Sequence, residues 1–503
     1  MDTFKLITQN AKQYPDKTAL IFKEQAVTFG QMKDIVLNLA AGFKKIGIKK
    51  QDKIAIYLPN CPQYIYSYLA LFSMGATVIP LDFMLKEEEI TSYLNHSEAK
   101  LLIAKYKANI ELSTLRTNVK SLKNIILIDE DRHDFLNFNS LLDGKSRYEK
   151  EDAMADNDTA LILYTSGTSG NQKGVVLTYK HLSGSPEAMK YFVDLNNKDI
   201  KICCLPLSHS AGLIYIQNCI VFAITLILME RFSPLEFLND IERYKVSCFH
   251  IVPSMYYAIL QLKEFEKHDL SSLRWMVVFG APNAPDVLKR FNQYCPKTDL
   301  LNGWGLTETC PPNTVIPLGS KNIQSVGKPA PWIKIAILDD SDEPVAPGEI
   351  GEIAMRSWVV MKEYYNNPEE TRRVLKNGWF YTGDLGRFDE DGFLYIAGRK
   401  KEMIKVSGQL VYAPEVEAVL HKQAGVLEAA VIGVPDKLRG ESIKAFIAKD
   451  PASNLSESQL RIFCQEHLAH FKVPHKIEFV AELPKNRTGK IDKEALKRRV
   501  TKP

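Results

Sequence analysis

The sequence lacks the features that would mark a small disulfide-stapled protein, a zinc protein or a membrane-spanning one. Its eight cysteines are scattered at 61, 203, 204, 219, 248, 295, 310 and 464, and none forms a Cys-x-x-Cys pair. That spacing suggests neither a disulfide framework nor a zinc site. Free thiols in a reducing cytosol are the expectation, which makes the protein cytoplasmic. Met1 to Asp16 contains no basic stretch followed by an apolar core, so no signal peptide is expected. Phe4, Leu6, Ile7 and Ala11 fit a short amphipathic helix instead. Charge of one sign is also scarce. The 64 Lys and Arg against 60 Asp and Glu leave a formal charge of +4, too small to indicate nucleic acid or an anionic membrane. Solenoid-length repeats and low-complexity tracts are missing too. One run, Ala211 to Met229, is uncharged and approaches the length of a membrane span. Gln217 and Asn218 interrupt it, and its last six residues (ITLILM) read as a buried strand after a helix. A buried core is therefore expected, and no transmembrane segment.

What is present is an ordinary globular balance, 45% hydrophobic and 25% charged, over a length of 503 that calls for two or more domains. Strand-like runs alternate with helical patterns: Lys53 to Leu58, Ala76 to Leu81, Leu101 to Ala104, Asn124 to Asp129, Ala160 to Tyr164, Ile224 to Met229, Cys248 to Val252 and Trp275 to Phe279. Tyr64 to Met74 reads as one of the helices between them. This alternation predicts α/β sheets with helices on their faces. After about Pro317, shorter strands with Gly and Pro turns (Ile333 to Leu338, Gly351 to Met355, Gly392 to Ile396) suggest a smaller β-rich subdomain. A basic segment from about Arg399 alternates strands and helices again.

Five motifs carry chemistry. Tyr164-Thr-Ser-Gly-Thr-Ser-Gly-Asn-Gln-Lys-Gly174 follows an apolar strand. Its glycines let backbone N–H groups wrap an anion, its hydroxyls donate, and Lys173 supplies charge, as a triphosphate requires. It is not a Walker A loop, because no Gly directly precedes the Lys and Gly rather than Ser or Thr follows. Asn302-Gly-Trp-Gly-Leu-Thr-Glu-Thr309 offers Glu308, which could hold Mg²⁺ beside phosphate oxygens, and Trp304, which could pack on a base or line a pocket. A β-turn with a buried Trp explains it as well. In Trp379-Phe-Tyr-Thr-Gly-Asp384, an acid after a tight turn could accept ribose hydroxyls, or could satisfy nearby backbone. The cations of Gly398-Arg-Lys-Lys-Glu-Met-Ile-Lys-Val-Ser-Gly408 fit ribose and phosphate, or a solvated loop. Pro484-Lys-Asn-Arg-Thr-Gly-Lys490 opens a basic tail with Asp492 as a helix cap.

In this order and at these separations the five segments resemble the adenylate-forming superfamily of acyl-CoA synthetases, peptide-synthetase adenylation domains and beetle luciferases, over nearly the whole chain. The resemblance implies a large N-terminal domain, residues 1–398, with two α/β sheets plus a smaller β-rich subdomain, and a small mobile α+β C-terminal domain, 399–503. It implies that Thr165, Ser166, Gly167, Thr168, Gly170 and Lys173 form the phosphate loop. Gly280, Ala281 and Pro282 flank adenine and the acyl group, and Asn302, Gly303 and Trp304 complete the nucleotide site. Thr307 and Glu308 contact phosphate and Mg²⁺, and Asp384 and Arg399 take the ribose. Lys490 bridges the carboxylate and the α-phosphate. His209 stands near the carboxylate, Lys401 is the hinge, and Gly408 lines the pantetheine tunnel. The implied activity is AMP-forming carboxylate–CoA ligation with ATP, Mg²⁺ and coenzyme A, by a monomer or homodimer acting on small molecules without nucleic acid. Trp304 stands where Tyr is commonest in the family, and Ala413-Pro414 inverts the usual order before Glu415.

Acetyl-type members carry Trp at the place of Gly305, so the open Gly305 implies an acid larger than propionate. A medium- or long-chain fatty acid is favoured, with aryl or alicyclic acids as the alternative. No cation placed to grip a distal carboxylate is identifiable from the sequence. A separate carrier protein as acceptor, and a non-catalytic nucleotide-binding regulator, are the remaining readings.

Overall fold

The computed structural model describes residues 1–501 apart from 143, 145, 151–153, 166–172, 263–264, 280–284, 437 and 487–488. Two large sheets dominate the first two-thirds of the chain. One has the strand order Lys328–Pro329, Thr314–Val315, Asp299–Trp304, Trp275–Val278, Cys248–Ile251, Ile200–Cys203, Thr225–Leu228, Thr18–Phe22, Gln25–Thr28. Its central strands are all parallel. The other runs Glu363–Tyr364, Lys173–Thr178, Thr159–Thr165, Thr77–Pro80, Lys53–Tyr57, Leu101–Ala104, Asn124–Leu127, Leu136–Asn137. It is parallel except for Lys173–Thr178 and Glu363–Tyr364.

Parallel strands need cover on both faces, and these sequences provide it: Thr77–Pro80, Leu101–Ala104, Thr225–Leu228, Cys248–Ile251 and Trp275–Val278 are buried at every position. One hydrophobic cluster joins the inner faces of both sheets through the helices between them, Phe29–Lys45, Pro62–Ser73 and Ser210–Phe222. Two further clusters cover the outer faces. Each fully buried Leu, Ile or Val contributes roughly 1.5–3 kcal/mol of transfer free energy. Helix starts follow local chemistry. Thr28 and Gln31 form a reciprocal capping box for Phe29–Lys45, and Pro62 occupies the first turn of its helix. The uncharged run Ala211 to Met229 divides as expected into the buried helix Ser210–Phe222 and the strand Thr225–Leu228. Among the described residues no helix is long and apolar enough to cross a membrane.

A five-stranded sheet of Lys334–Leu338, Gly351–Arg356, Trp379–Phe388, Leu375–Lys376 and Leu394–Arg399 is antiparallel throughout. The last strand begins two residues later than Gly392 and continues to Arg399 rather than stopping at Ile396. Gly392 itself (φ +76°) turns in the Asp389–Phe393 loop, whose N–H groups bond back to Asp389. A fourth sheet is built wholly from residues 404–480, with the helices Ala413–Leu420, Glu457–His467 and Lys493–Thr501 around it. Its two faces carry separate clusters. The inverted Ala413-Pro414 order places Pro414 in the first turn of its helix, where its missing N–H costs nothing.

Candidate active site

The site forms where the ends of several strands meet. Asp384 was expected after a tight turn, but it lies inside the strand Trp379–Phe388. The register against Gly351–Arg356 shifts at this point. Gly383 takes φ +71°, which a side chain would resist, and so accommodates the irregularity. Thr382 Oγ1 pins it by donating to the Ile353 carbonyl (2.7 Å) and accepting the Asp384 N–H (3.1 Å). Asp384 pairs across the ladder with Arg399, and Arg399 Nε lies 2.6 Å from Asp384 Oδ1. The Trp304 indole N–H donates to Asp384 Oδ2 at 2.8 Å. Burial raises the Asp384 pKa above the ordinary carboxylate value, with Arg399, the Trp304 bond and Lys490 pulling the other way. Each carboxylate oxygen retains a lone pair for a further donor.

The 302–309 motif is fixed at both ends. Asn302 Nδ2 donates to the Ile323 carbonyl (2.7 Å). Thr309 Oγ1 and Asn313 Oδ1 lie 2.5 Å apart, and Asn313 Nδ2 donates to the Thr309 carbonyl (2.7 Å). Glu308 accepts from the Tyr364 hydroxyl at 2.9 Å. Thr307 Oγ1 lies 3.5 Å from Ser210 Oγ, at the start of the helix that His209 caps. His209 Nε2 in turn meets Asp82 Oδ2 at 3.1 Å. A Cβ at Gly303 would fall 2.1 Å from the Phe279 ring, and one at Gly305 would fall 2.6 Å from Pro311 Cβ. The space beside Gly305 in that direction is therefore filled by Pro311 and Asn313.

Thr165 ends its strand opposite Lys173. Lys173 Nζ is 2.5 Å from Glu370 Oε1, and Arg373 grips the same carboxylate at 2.6 and 2.7 Å. The Arg373 bonds, opposed by burial and joined by Lys173, hold the Glu370 pKa down at about 2.

Lys490 reaches this centre from the C-terminal segment. Burial lowers its pKa and Arg399 lowers it further, while Asp384 and Glu308 raise it, so its ammonium lies within the field of all three. Its loop is closed by Asn486, which accepts the Lys490 N–H (3.0 Å) and donates its own N–H to the Lys490 carbonyl (2.7 Å). Gly489 (φ +79°) lies over Ser254, whose Oγ would be 3.1 Å from an added Cβ.

The geometry thus brings together Trp304, Thr307, Glu308, Asp384, Arg399 and Lys490. Lys401 and Gly408 are both exposed, and Lys401 feels the charge of Arg399 two residues before it. Gly408 (φ +83°) occupies the tip of the hairpin joining Ile404–Val406 to Gln409–Val411. Ser166, Gly167, Thr168, Gly170, Gly280, Ala281 and Pro282 lie outside the described residues. Sequence reasoning missed Asp82, Tyr364, Glu370 and Arg373. Each meets its partner across more than 50 residues or through such a partner, and no local pattern announces such pairs.

A family model described as AMP-binding enzyme matches residues 7–365, and one described as AMP-binding enzyme C-terminal domain matches 415–490. The chain is 33% identical to a long-chain-fatty-acid–CoA ligase of Bacillus subtilis (strain 168), covering 97% of this chain and 92% of the relative. It is 31% identical to a feruloyl-CoA synthase of Amycolatopsis sp, covering 98% and 97%. Among solved structures, an anthranilate CoA ligase in complex with anthranoyl-AMP superposes with TM-score 0.92 at 27% identity, covering 100% of this chain and 97% of that one. The o-succinylbenzoate CoA synthetase of Bacillus subtilis, bound to its acyl-adenylate intermediate, gives 0.85 at 27% identity, covering 99% and 98%. The chain belongs to the AMP-binding enzyme family.

Proposed function

We propose that the protein activates a medium- or long-chain carboxylic acid with ATP and passes the acyl group to coenzyme A. Its class is AMP-forming acyl-CoA ligase. The observation that carries the residue assignment is the arrival of Lys490 among Asp384, Arg399 and Glu308.

In the first half-reaction a carboxylate oxygen attacks the α-phosphorus of ATP, the bond to the bridging oxygen breaks, and diphosphate leaves. Nucleophile and phosphate are both anionic. Lys490 offsets the repulsion and stabilises the charge that develops. Asp384 accepts the ribose hydroxyls while Trp304 and Arg399 hold it in place, so positioning carries much of the rate. Lys173 must leave Glu370 to meet the triphosphate. Glu308 suits Mg²⁺, since such sites commonly use one or two carboxylates plus substrate oxygens, and the described residues offer no cluster of three or more ligands that would demand another metal. When bound there, Mg²⁺ would supply charge neutralisation at the phosphates. In the second half-reaction the coenzyme A sulfur attacks the acyl carbonyl and AMP leaves. Residues 399–503 act as a mobile unit hinged near Lys401, withdrawing Lys490 and bringing Gly408 towards the thiol. The free buried cysteines suit a cytoplasmic setting.

The test is AMP release across short- to long-chain fatty acids, benzoate and 4-coumarate, with and without coenzyme A. AMP and an acyl-CoA for one group of acids support the reading and define the class. Adenylate formation that coenzyme A fails to accelerate would transfer the acceptor role to a carrier protein.

A further inference from the structure

The large sheet that begins at Thr18 carries a charge where its neighbours are apolar. Lys201, on Ile200–Cys203, is fully buried, and among the described residues its ammonium has no hydrogen-bond partner. Register sets Lys201 beside Cys248 and Cys248 beside Trp275 on one face of three parallel strands. His250, two residues along from Cys248, shares that face. The helix Ser210–Phe222 covers it. Lys201 Nζ lies 4.7 Å from the Tyr215 ring centroid and 5.3 Å from that of Trp275. The Tyr215 hydroxyl is occupied by the His250 backbone, accepting from its N–H (2.7 Å) and donating to its carbonyl (2.9 Å). The Trp275 indole N–H, both ring nitrogens of His250 and both amide atoms of Asn218 are also buried without partners among the described residues. Asn218 follows Tyr215 by three residues on the same helix face.

Burying a cation is costly unless an anion answers it. The two aromatic rings offset part of that cost, but they supply no negative charge. Asp199, just before the strand, is already committed to Arg274 and Ser247, both at 2.7 Å. Burial brings the Lys201 pKa down to about 8, with Cys248, Cys203 and Asp199 drawing it back up. The cluster therefore holds several unpaired donors and the neutral acceptors Asn218 Oδ1 and one His250 ring nitrogen, but no anion to answer Lys201.

It is also continuous with the acid-activating centre. The His250 ring lies 5.5 Å from that of Phe279, and Phe279 fills the space before Gly303. The helix that carries Tyr215 and Asn218 starts at Ser210, beside Thr307. Five to eight residues at 1.5 Å each put the cluster about 8–12 Å from that end.

We propose that the cluster around Lys201 receives the far end of the acyl substrate and that this end is a carboxylate, so that the preferred acids are dicarboxylic with their two ends about 8–12 Å apart. This rests on the ligase reading above and narrows its acid class. Lys201 supplies the charge, and Trp275 and Asn218 supply N–H donors. Phe279 is the ring that turns aside to admit the chain. A plain apolar acid of equal length would leave Lys201 facing a methyl group, and a site built for a polar partner rejects such an analogue strongly.

The experiment compares kcat/KM for octanoate, 8-hydroxyoctanoate, adipate, suberate and sebacate, read as AMP and acyl-CoA, in the full-length enzyme and in Lys201→Met. The wild type is expected to favour one diacid over octanoate by about tenfold or more, mostly through KM. Lys201→Met should reverse that ratio and raise kcat/KM for octanoate. Trp275→Phe, which keeps the ring and removes the N–H, should lower the ratio in the same direction and serves if the first variant does not fold. A wild type that prefers octanoate or the hydroxy acid to every diacid overturns the proposal, as does a ratio that neither variant changes. Failure of the wild type to release AMP with any acid would instead sink the ligase reading.

Discussion

Asp384 shows how much one side chain can hold. Its two oxygens bind Arg399 and Trp304, and the charge of Lys490 reaches it. Lys490→Ala is expected to lower acid-dependent exchange of diphosphate into ATP by about 10²–10³-fold, the usual loss when one stabiliser of transition-state charge is removed. Thioester formation from supplied acyl-adenylate should be spared. An equal loss in both half-reactions would remove Lys490 from its proposed role. The ammonium is the working form of Lys490. Its pKa is lowered from 10.5 by burial and by Arg399, so exchange should persist below that lowered value and fall as pH rises through it. The alkaline limb of the profile should therefore lie below 10.5; a limb at or above it would contradict the assignment. At this scale the sequence was legible wherever a motif is contiguous. Thr307, Glu308, Asp384, Arg399 and Lys490, which the structure brings together, each stand in a contiguous motif that marks them as candidates. Tyr364 under Glu308, Asp82 under His209 and Lys201 under Tyr215 could not be read in this way, because each depends on a contact between distant segments.

Elements were read well where periodicity or buried runs are strong, and their edges less well. Leu101–Ala104 falls at its expected bounds, and most other strands agree within one or two residues. The strand holding Asp384 was harder to see, because Thr-Gly-Asp looks like a turn and is a strand irregularity at a left-handed glycine. Sheet order could not be read at all, since hydrophobic patterning says which faces are buried and not which strands pair. Two predictions belong here. Glu370 on the helix Pro368–Val374 pairs with Lys173, and in the proposed site it would compete with triphosphate for that lysine. Glu370→Gln should therefore lower the KM for ATP by about two- to fivefold, up to ~1 kcal/mol; a higher KM would mean that Glu370 orients Lys173 instead. Gly303→Ala would drive a methyl into the Phe279 ring. Overpacking of this kind costs about 1–3 kcal/mol, visible as a lower melting temperature together with an altered acid preference. An unchanged melting temperature would mean that Phe279 moves freely.

Across the whole molecule, the Lys490 loop rests on Ser254 through Gly489, a seating that the proposed adenylation role of Lys490 would use. Gly489→Val combines a strained left-handed backbone with a clash at Ser254 and should impair adenylation while sparing the thioester step. Losing both steps together would point to misfolding of the 399–503 unit. The overall division into two large sheets, a small β-rich sheet and a C-terminal α+β unit followed from the alternation of patterns and from the family likeness. How those parts are seated on one another depends on surfaces that carry no sequence signature. One molecular property bears on the chemistry from another side. All eight cysteines are free and buried. An enzyme that makes a reactive mixed anhydride and then meets a substrate thiol thus presents no thiol of its own to be acylated, nor to form a mixed disulfide with the incoming acceptor. It also offers a blank surface to maleimide reagents. A pair of cysteines introduced on either side of Lys401 would be the accessible labelling sites, from which the proposed swing of residues 399–503 could be tested by energy transfer during turnover.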